Sequence, residues 1–236
     1  MSGVDATPEP GKVRAMFDGI AGTYDLINSL MSAGLHHRWR ELGVMVAQVE
    51  SGGAVLDACC GTGDFAFALR RAVGAQGRVV GLDFSEEMLR VAREKCGRNQ
   101  LRVDFMRGDL LDLPFSDGEF DACTVGFGIR NVPDIARAFA EMRRVVRPDG
   151  RVVCLEITRP SIIGFKQFYN LWFDGVVPLL GRLAARDDFA YSYLPASVRR
   201  FPDPDTLRDI MADAGLVNPR YEILAGGIIA LHHASV

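Results

Sequence analysis

The residues from Val55 to Phe65 read VLDACCGTGDF, a glycine turn with an acid on each side of it, Asp57 and Asp64. Gly61, Thr62 and Gly63, followed by Ala66, fit the spacing G-x-G-x-x-G/A, in which a tight turn lets the backbone approach a nucleotide closely. That pattern alone is weak, because small residues also crowd strand–helix turns for packing. Its context is stronger: a strand-like run precedes it, a helix-forming run follows, and Asp83 ends the next strand-like run, where an acid accepts from ribose hydroxyls. A dinucleotide pyrophosphate is favoured at a helix N-terminus, yet Asp57 and Asp64 would repel it. S-adenosylmethionine has no phosphate, and its sulfonium and ammonium are cations that carboxylates attract. Asp109 ends a third run and suits the adenine amino group, with Leu110 beside the ring; the bland alternative is that Asp109 caps a turn. A nicotinamide dinucleotide is the rival ligand, and the acids at the turn stand against it.

These residues need a scaffold that brings strand ends together. Helical patterns cover 12–48, broken near Gly22 and Gly34. Strand and helix signals then alternate: a strand over 54–59, a helix over 64–73, a strand over 78–84, and a helix after Ser85, whose hydroxyl suits an N-cap with Glu86 and Glu87 behind it. Further strands fall at 101–109, 120–127 and 151–157, with a helix over 134–147. Such alternation predicts an α/β fold, a single doubly wound domain whose parallel sheet is covered on both faces. The apolar strand runs agree, because parallel strands are buried on both sides. Residues 161–200 break the rhythm with many aromatics and no clear strand; a helix over 205–214 and two strand-like runs, PRYEIL and GIIALHHA, close the chain.

Composition narrows the function classes. With 236 residues, 48% of them hydrophobic, one sizeable core is expected. A formal net charge of −3 offers no broad attraction to nucleic acid or anionic lipid. The five cysteines include no C-x-x-C pair and the histidines no H-E-x-x-H spacing, so no metal site is expected. Free cysteines in apolar runs suit a reducing, cytoplasmic compartment. Residues 1–11 read as a frayed tail without a signal or transit pattern, and no run is long and apolar enough to span a membrane.

The stretches that carry more specific information are Y24-D-L-I-N-S-L-M-S-A-G-L-H36-H-R-W39, L113-P-F-S-D-G-E-F-D121, F127-G-I-R-N-V-P-D134, Y193-L-P-A-S-V-R-R-F-P-D-P-D-T-L207 and G226-G-I-I-A-L-H232. Together with the glycine turn, Asp83 and Asp109, they resemble the quinone-biosynthesis C-methyltransferases, from about residue 12 to the C-terminus. The resemblance implies a Rossmann-like methyltransferase domain using S-adenosyl-L-methionine; the residues themselves read as N-terminal helices over 12–50 and, over 160–200, as an acceptor lid left over once the sheet is covered, with plain aromatic core as the alternative. The resemblance also implies a polyprenyl quinol acceptor, either demethylmenaquinol or a benzoquinol precursor of ubiquinone. The C59-C60-G-T-G-D stretch is similar to the menaquinone type. Gly126 stands where many relatives carry serine, so the cofactor contact expected there falls to backbone.

On that implied chemistry, methylating a ring carbon requires electron density that loss of a neighbouring hydroxyl proton supplies. Arg130 and Asn131 follow the fourth strand, at the carboxyl edge where open α/β sheets bind ligands; Arg130 is expected to stabilise the developing oxyanion, a structural ion pair being the alternative. His36 is the candidate base, with packing against Trp39 as its rival. Tyr24 is expected to orient a quinol hydroxyl or the cofactor carboxylate, or to anchor the N-terminal helices, while His232 and His233 read as structural. A greasy substrate implies contact with a membrane surface; a homodimer is compatible with the sequence, and a non-catalytic cofactor-binding scaffold is the rival from another class.

Overall fold

The computed structural model describes residues 10–159 and 188–236. The N-terminal pattern resolves into α1 (Pro10–Ile20), α2 (Tyr24–Ser32) and α3 (Leu35–Ala47). The first helix thus starts inside the stretch read as a tail. The break before α3 is where expected: Gly34 adopts φ +76, the left-handed region glycine enters without steric cost, and its N–H closes α2 by donating to the Ser29 carbonyl at 2.9 Å.

The alternating segment forms β1 (Ala54–Ala58), α4 (Asp64–Val73), β2 (Arg78–Asp83), α5 (Glu86–Arg98), β3 (Asp104–Arg107), β4 (Phe120–Gly126), α6 (Ile135–Val145) and β5 (Val146–Ile157). Ser85 caps α5, its Oγ accepting from the Met88 N–H at 3.1 Å. The C-terminal part contributes α7 (Asp188–Arg200), α8 (Pro204–Asp213), β6 (Val217–Leu224) and β7 (Ile229–Ser235). One sheet results, in the order β3-β2-β1-β4-β5-β7-β6. Pairing is parallel from β3 to β5. The expectation of a parallel sheet is corrected at one edge, where β7 runs antiparallel to β5 and β6 antiparallel to β7. A four-residue connection, the turn Ala225–Gly227 and Ile228, joins β6 to β7, too short for the crossover that parallel strands need.

Strand alternation sends Leu56 and Ala58 to one face and Val55 to the other. On the first face, Ala138, Phe139, Met142 and Val145 of α6 present a fully buried stripe at helical spacing; on the second, Phe65, Leu69 and Val73 of α4 do the same. Burying each large side chain is worth about 1.5–3 kcal/mol. A third cluster packs Val13, Met16, Phe17 and Ile20 of α1 against Met88, Tyr193 and Val198. It holds the N-terminal helices and α7 over the carboxyl ends of the strands. There the strand order reverses between β1 and β4, which opens the ligand crevice of such sheets.

Candidate active site

Two cavities meet above the strand ends. The first, of about 240 Å³, is walled by the glycine turn and by Asp57, Asp83, Asp109, Leu110 and Gly126. Gly61 adopts φ +54 and a Cβ there would meet nothing, so its role is conformational: it turns the chain and points its N–H at Asp83 Oδ2, 2.8 Å away. Asp83 is buried, and its Oδ1 accepts from the Ser85 N–H at 2.9 Å. Burial pushes its pKa up to about 6 in spite of these bonds. Thr62 donates its hydroxyl to Asp25 of α2 at 2.5 Å, so the turn is tied to the helix above it.

Asp57 is fully buried. Its register partner on β4 is Thr124, whose hydroxyl donates to Oδ1 at 3.0 Å. Oδ2 accepts no hydrogen bond of normal geometry. Desolvation is the main cause that lifts this carboxyl to about 7, partly offset by Thr124 and the charge of Arg40. A buried carboxylate oxygen without a donor fits a cationic ligand group, and the acids, ribose-type Asp83 and apolar Leu110 fit S-adenosylmethionine.

Several of the expected site residues have other engagements. Asp64 is not free to attract a ligand cation, because Lys95 lies 2.5 Å from Oδ1 and Arg40 3.8 Å from Oδ2. Gly63 adopts φ +87, and a Cβ at that position would come within 2.9 Å of Phe105 and 3.0 Å of Phe67, so both the turn and its packing require glycine there. The exposed Asp109 spends Oδ1 on the Leu111 N–H at 2.9 Å, the turn-capping role, although it also borders the cavity. At Gly126 a Cβ would stand 2.8 Å from the Phe65 ring, which explains why this chain carries no larger residue there.

The second cavity, of about 420 Å³, is apolar over most of its wall, with Met16, Ile20, Ile27, Met31 and Trp39 contributing. Tyr24, Arg40 and Phe127 border both cavities, so the two adjoin. Arg130 reaches the second cavity. Its Nη1 donates to Glu156 Oε1 at 2.9 Å and to the Phe127 carbonyl, both side chains being buried, while Nε is buried without a partner. Asn131 borders the first cavity and accepts from the Tyr193 hydroxyl at 2.9 Å. Burial raises the Tyr24 pKa against the lowering charge of Arg130 and the side chain of Asn28.

His36 borders the second cavity with both ring nitrogens engaged: Arg40 Nη1 donates to Nδ1, and Nε2 meets Ser29 Oγ at 3.2 Å. Burial, then Arg40, push its pKa down to about 4. The expected general base is therefore neutral and weakly basic, and its observed work is to hold Arg40. His36, His37 and Asp64 bring ligand-type atoms within 4.8 Å of one another, but Arg40 and Lys95 already supply the positive charge there. The acceptor lid expected over 160–200 lies mostly outside the described residues; 188–200 forms α7. Sequence reasoning missed Arg40, Glu156 and Lys95. Of these, only Arg40 had a readable signal, four residues after His36 on one helix face.

A sheet reversed at β1/β4, an acid-lined glycine turn and an adjoining apolar chamber define a nucleoside-binding α/β fold of the methyltransferase type. Solved structures share the fold: a SAM-dependent methyltransferase from Aquifex aeolicus (TM-score 0.59, 18% identity, 96% of this chain and 98% of that one) and another from Thermotoga maritima (TM-score 0.61, 20% identity, 94% and 98%). The profile of the ubiE/COQ5 methyltransferase family matches residues 6–236, and the chain belongs to that family. Its relatives include a demethylmenaquinone methyltransferase of Staphylococcus carnosus, 44% identical over 224 residues (95% of this chain, 92% of that protein), and one of Bacillus cereus, 43% identical over 222 residues (94% of each).

Proposed function

We propose that this methyltransferase uses S-adenosyl-L-methionine to convert demethylmenaquinol to menaquinol. The carrying observation is that two adjoining cavities are lined by groups of opposite character, the buried carboxyls of Asp57 and Asp83 on the nucleoside side and the guanidinium of Arg130 on the otherwise apolar side. Carboxylates attract a cation in the first cavity, and a guanidinium attracts an oxygen that gains negative charge in the second. The names of the Staphylococcus and Bacillus relatives favour a naphthoquinol over a benzoquinol acceptor.

When bound, the cofactor supplies an electrophilic methyl group on its sulfonium. Asp83 accepts the ribose hydroxyls through the lone pairs that Gly61 and Ser85 leave free, Leu110 packs on the adenine, and Asp57 takes the ammonium. The quinol hydroxyl gives its proton to solvent as the acceptor enters; Arg130 stabilises the resulting oxyanion, whose charge raises electron density at the ring carbon that takes the methyl, and the proton then lost from that carbon restores the hydroxyl. Glu156 fixes the guanidinium for that task. Asn131 and Tyr193, hydrogen-bonded to each other, and Tyr24 narrow the passage between the cavities. The apolar wall takes the start of the prenyl tail and keeps water from the reacting groups.

Among the described residues no helix is long and apolar enough to cross a membrane. We place the enzyme in the cytoplasm, touching the bilayer from which its substrate comes. Ile27 and Met31 of α2 border the acceptor cavity, and on the same helix Leu26 and Leu30 are 58% and 51% exposed, an apolar surface suited to lipid. The test is transfer of a labelled methyl group by the purified protein to demethylmenaquinol and, separately, to a polyprenyl benzoquinol. Methylated naphthoquinol is expected as the principal product; transfer only to the benzoquinol, or to neither, overturns the assignment.

A further inference from the structure

S-adenosylmethionine ends in two charges, an ammonium and a carboxylate, and Asp57 answers only the first. The carboxylate needs donors or a cation inside a cavity whose charged wall is otherwise acidic: Asp57, Asp64, Asp83 and Asp109. Thr62 cannot serve through its hydroxyl, which already donates to Asp25. Lys95 lies outside the wall and is spent on Asp25 and Asp64 at 2.7 and 2.5 Å. Among the described residues on that wall, Arg40 is the one cation.

Its surroundings leave it available. Only Nη1 makes hydrogen bonds, to His36 Nδ1 and to the His36 carbonyl at 3.2 Å; Nε and Nη2 meet no acceptor among the described residues. Asp64 Oδ2, 3.8 Å from Nη1, is too far for a hydrogen bond, and the same carboxylate is held at Oδ1 by Lys95 at 2.5 Å. The guanidinium stands 5.3 Å from the centroid of the Phe127 ring, which with His36 fixes its direction. A planar fork, held by a neutral histidine at one nitrogen and open at the others, is the geometry that receives a carboxylate.

We infer that Arg40 binds the carboxylate of the cofactor's methionine moiety, so that the enzyme reads both ends of the amino-acid group: Asp57 for the amine, Arg40 for the acid. The assignment rests on the proposed use of S-adenosylmethionine. Because Arg40 also borders the acceptor cavity, the bound carboxylate would complete part of the partition between cofactor and quinol.

The test is calorimetric titration, without acceptor, of wild type, Arg40→Met and Arg40→Lys with S-adenosylhomocysteine, S-adenosylmethionine and decarboxylated S-adenosylmethionine. The wild type should bind S-adenosylmethionine about 10- to 100-fold more tightly than the decarboxylated ligand, the span of one charge-assisted contact. In Arg40→Met that ratio should collapse to nearly one, with decarboxylated ligand bound as by wild type; Arg40→Lys should retain an intermediate ratio. A purely structural Arg40 predicts equal losses for both ligands, and that result overturns the inference. If Arg40→Met does not fold, a lysine variant that keeps the full wild-type ratio overturns it as well. Failure of the wild type to bind S-adenosylmethionine or S-adenosylhomocysteine would instead strike the cofactor reading itself.

Discussion

Replacing Asp57 by asparagine should make the ligand-free protein more stable at alkaline pH while removing much of its cofactor affinity. Asp57 is wholly buried and its carboxyl is raised from an ordinary 3.8 to about 7. Between those values the folded protein holds a proton that the unfolded chain releases. Stability from this group is therefore full below about pH 4 and is lost as pH rises through about 7. The shift corresponds to a cost on the order of 4 kcal/mol for keeping the charge inside the fold at alkaline pH. Asparagine has no such charge. Its amide would lack an acceptor where Oδ2 now stands, at a cost of about 1–3 kcal/mol. The net gain at about pH 8 should be about 1–3 kcal/mol, and at about pH 4 the variant should be no more stable than wild type. Urea unfolding of both proteins at the two pH values measures the difference, and calorimetry at neutral pH should show S-adenosylmethionine binding weakened by about 10-fold or more. A variant equally destabilised at both pH values, or one that binds cofactor as wild type does, would refute the account of Asp57 as a strained acid kept for a cation.

Asp83→Ala should weaken S-adenosylmethionine binding by about 1–3 kcal/mol, because it strands the ribose hydroxyls and frees the Gly61 N–H; unchanged affinity in titration would remove Asp83 from the ribose site. Arg130→Lys keeps the charge but loses the planar fork, so single-turnover methyl transfer should slow by about 10²-fold while cofactor affinity stays near wild type. Normal turnover, or a defect confined to cofactor binding, would reassign it. Glu156→Gln removes the counter-ion of the buried Arg130 guanidinium and should cost about 3–5 kcal/mol in urea unfolding. A loss below about 1 kcal/mol, as for an exposed pair, would contradict the buried pairing.

The parts of this protein that are legible in sequence are those made by neighbours along the chain. Strand–helix alternation, the Ser85 cap, the break at Gly34 and the acid-flanked turn follow from periodicity and backbone preference within a few residues. The nucleoside site is therefore largely visible, since Asp57, Gly61, Asp83 and Leu110 fall at ends of consecutive elements and the parallel sheet aligns those ends. Tertiary structure alone decided which charges are free. Asp57 and Asp64 look alike in sequence, yet Lys95, 31 residues away in the chain but 2.5 Å away in space, neutralises one, while the other is sealed in the sheet with an unpaired oxygen. Likewise Glu156 reaches Arg130 from the neighbouring strand β5, and Arg40 arrives from the N-terminal helices to border both cavities. Coulomb attraction and desolvation depend on distance and burial after folding, and sequence spacing carries neither. The edge hairpin is the same lesson in backbone terms: PRYEIL and GIIALHHA read as strands, but their antiparallel direction follows from the short turn at Ala225–Gly227 and the register of β7 against β5.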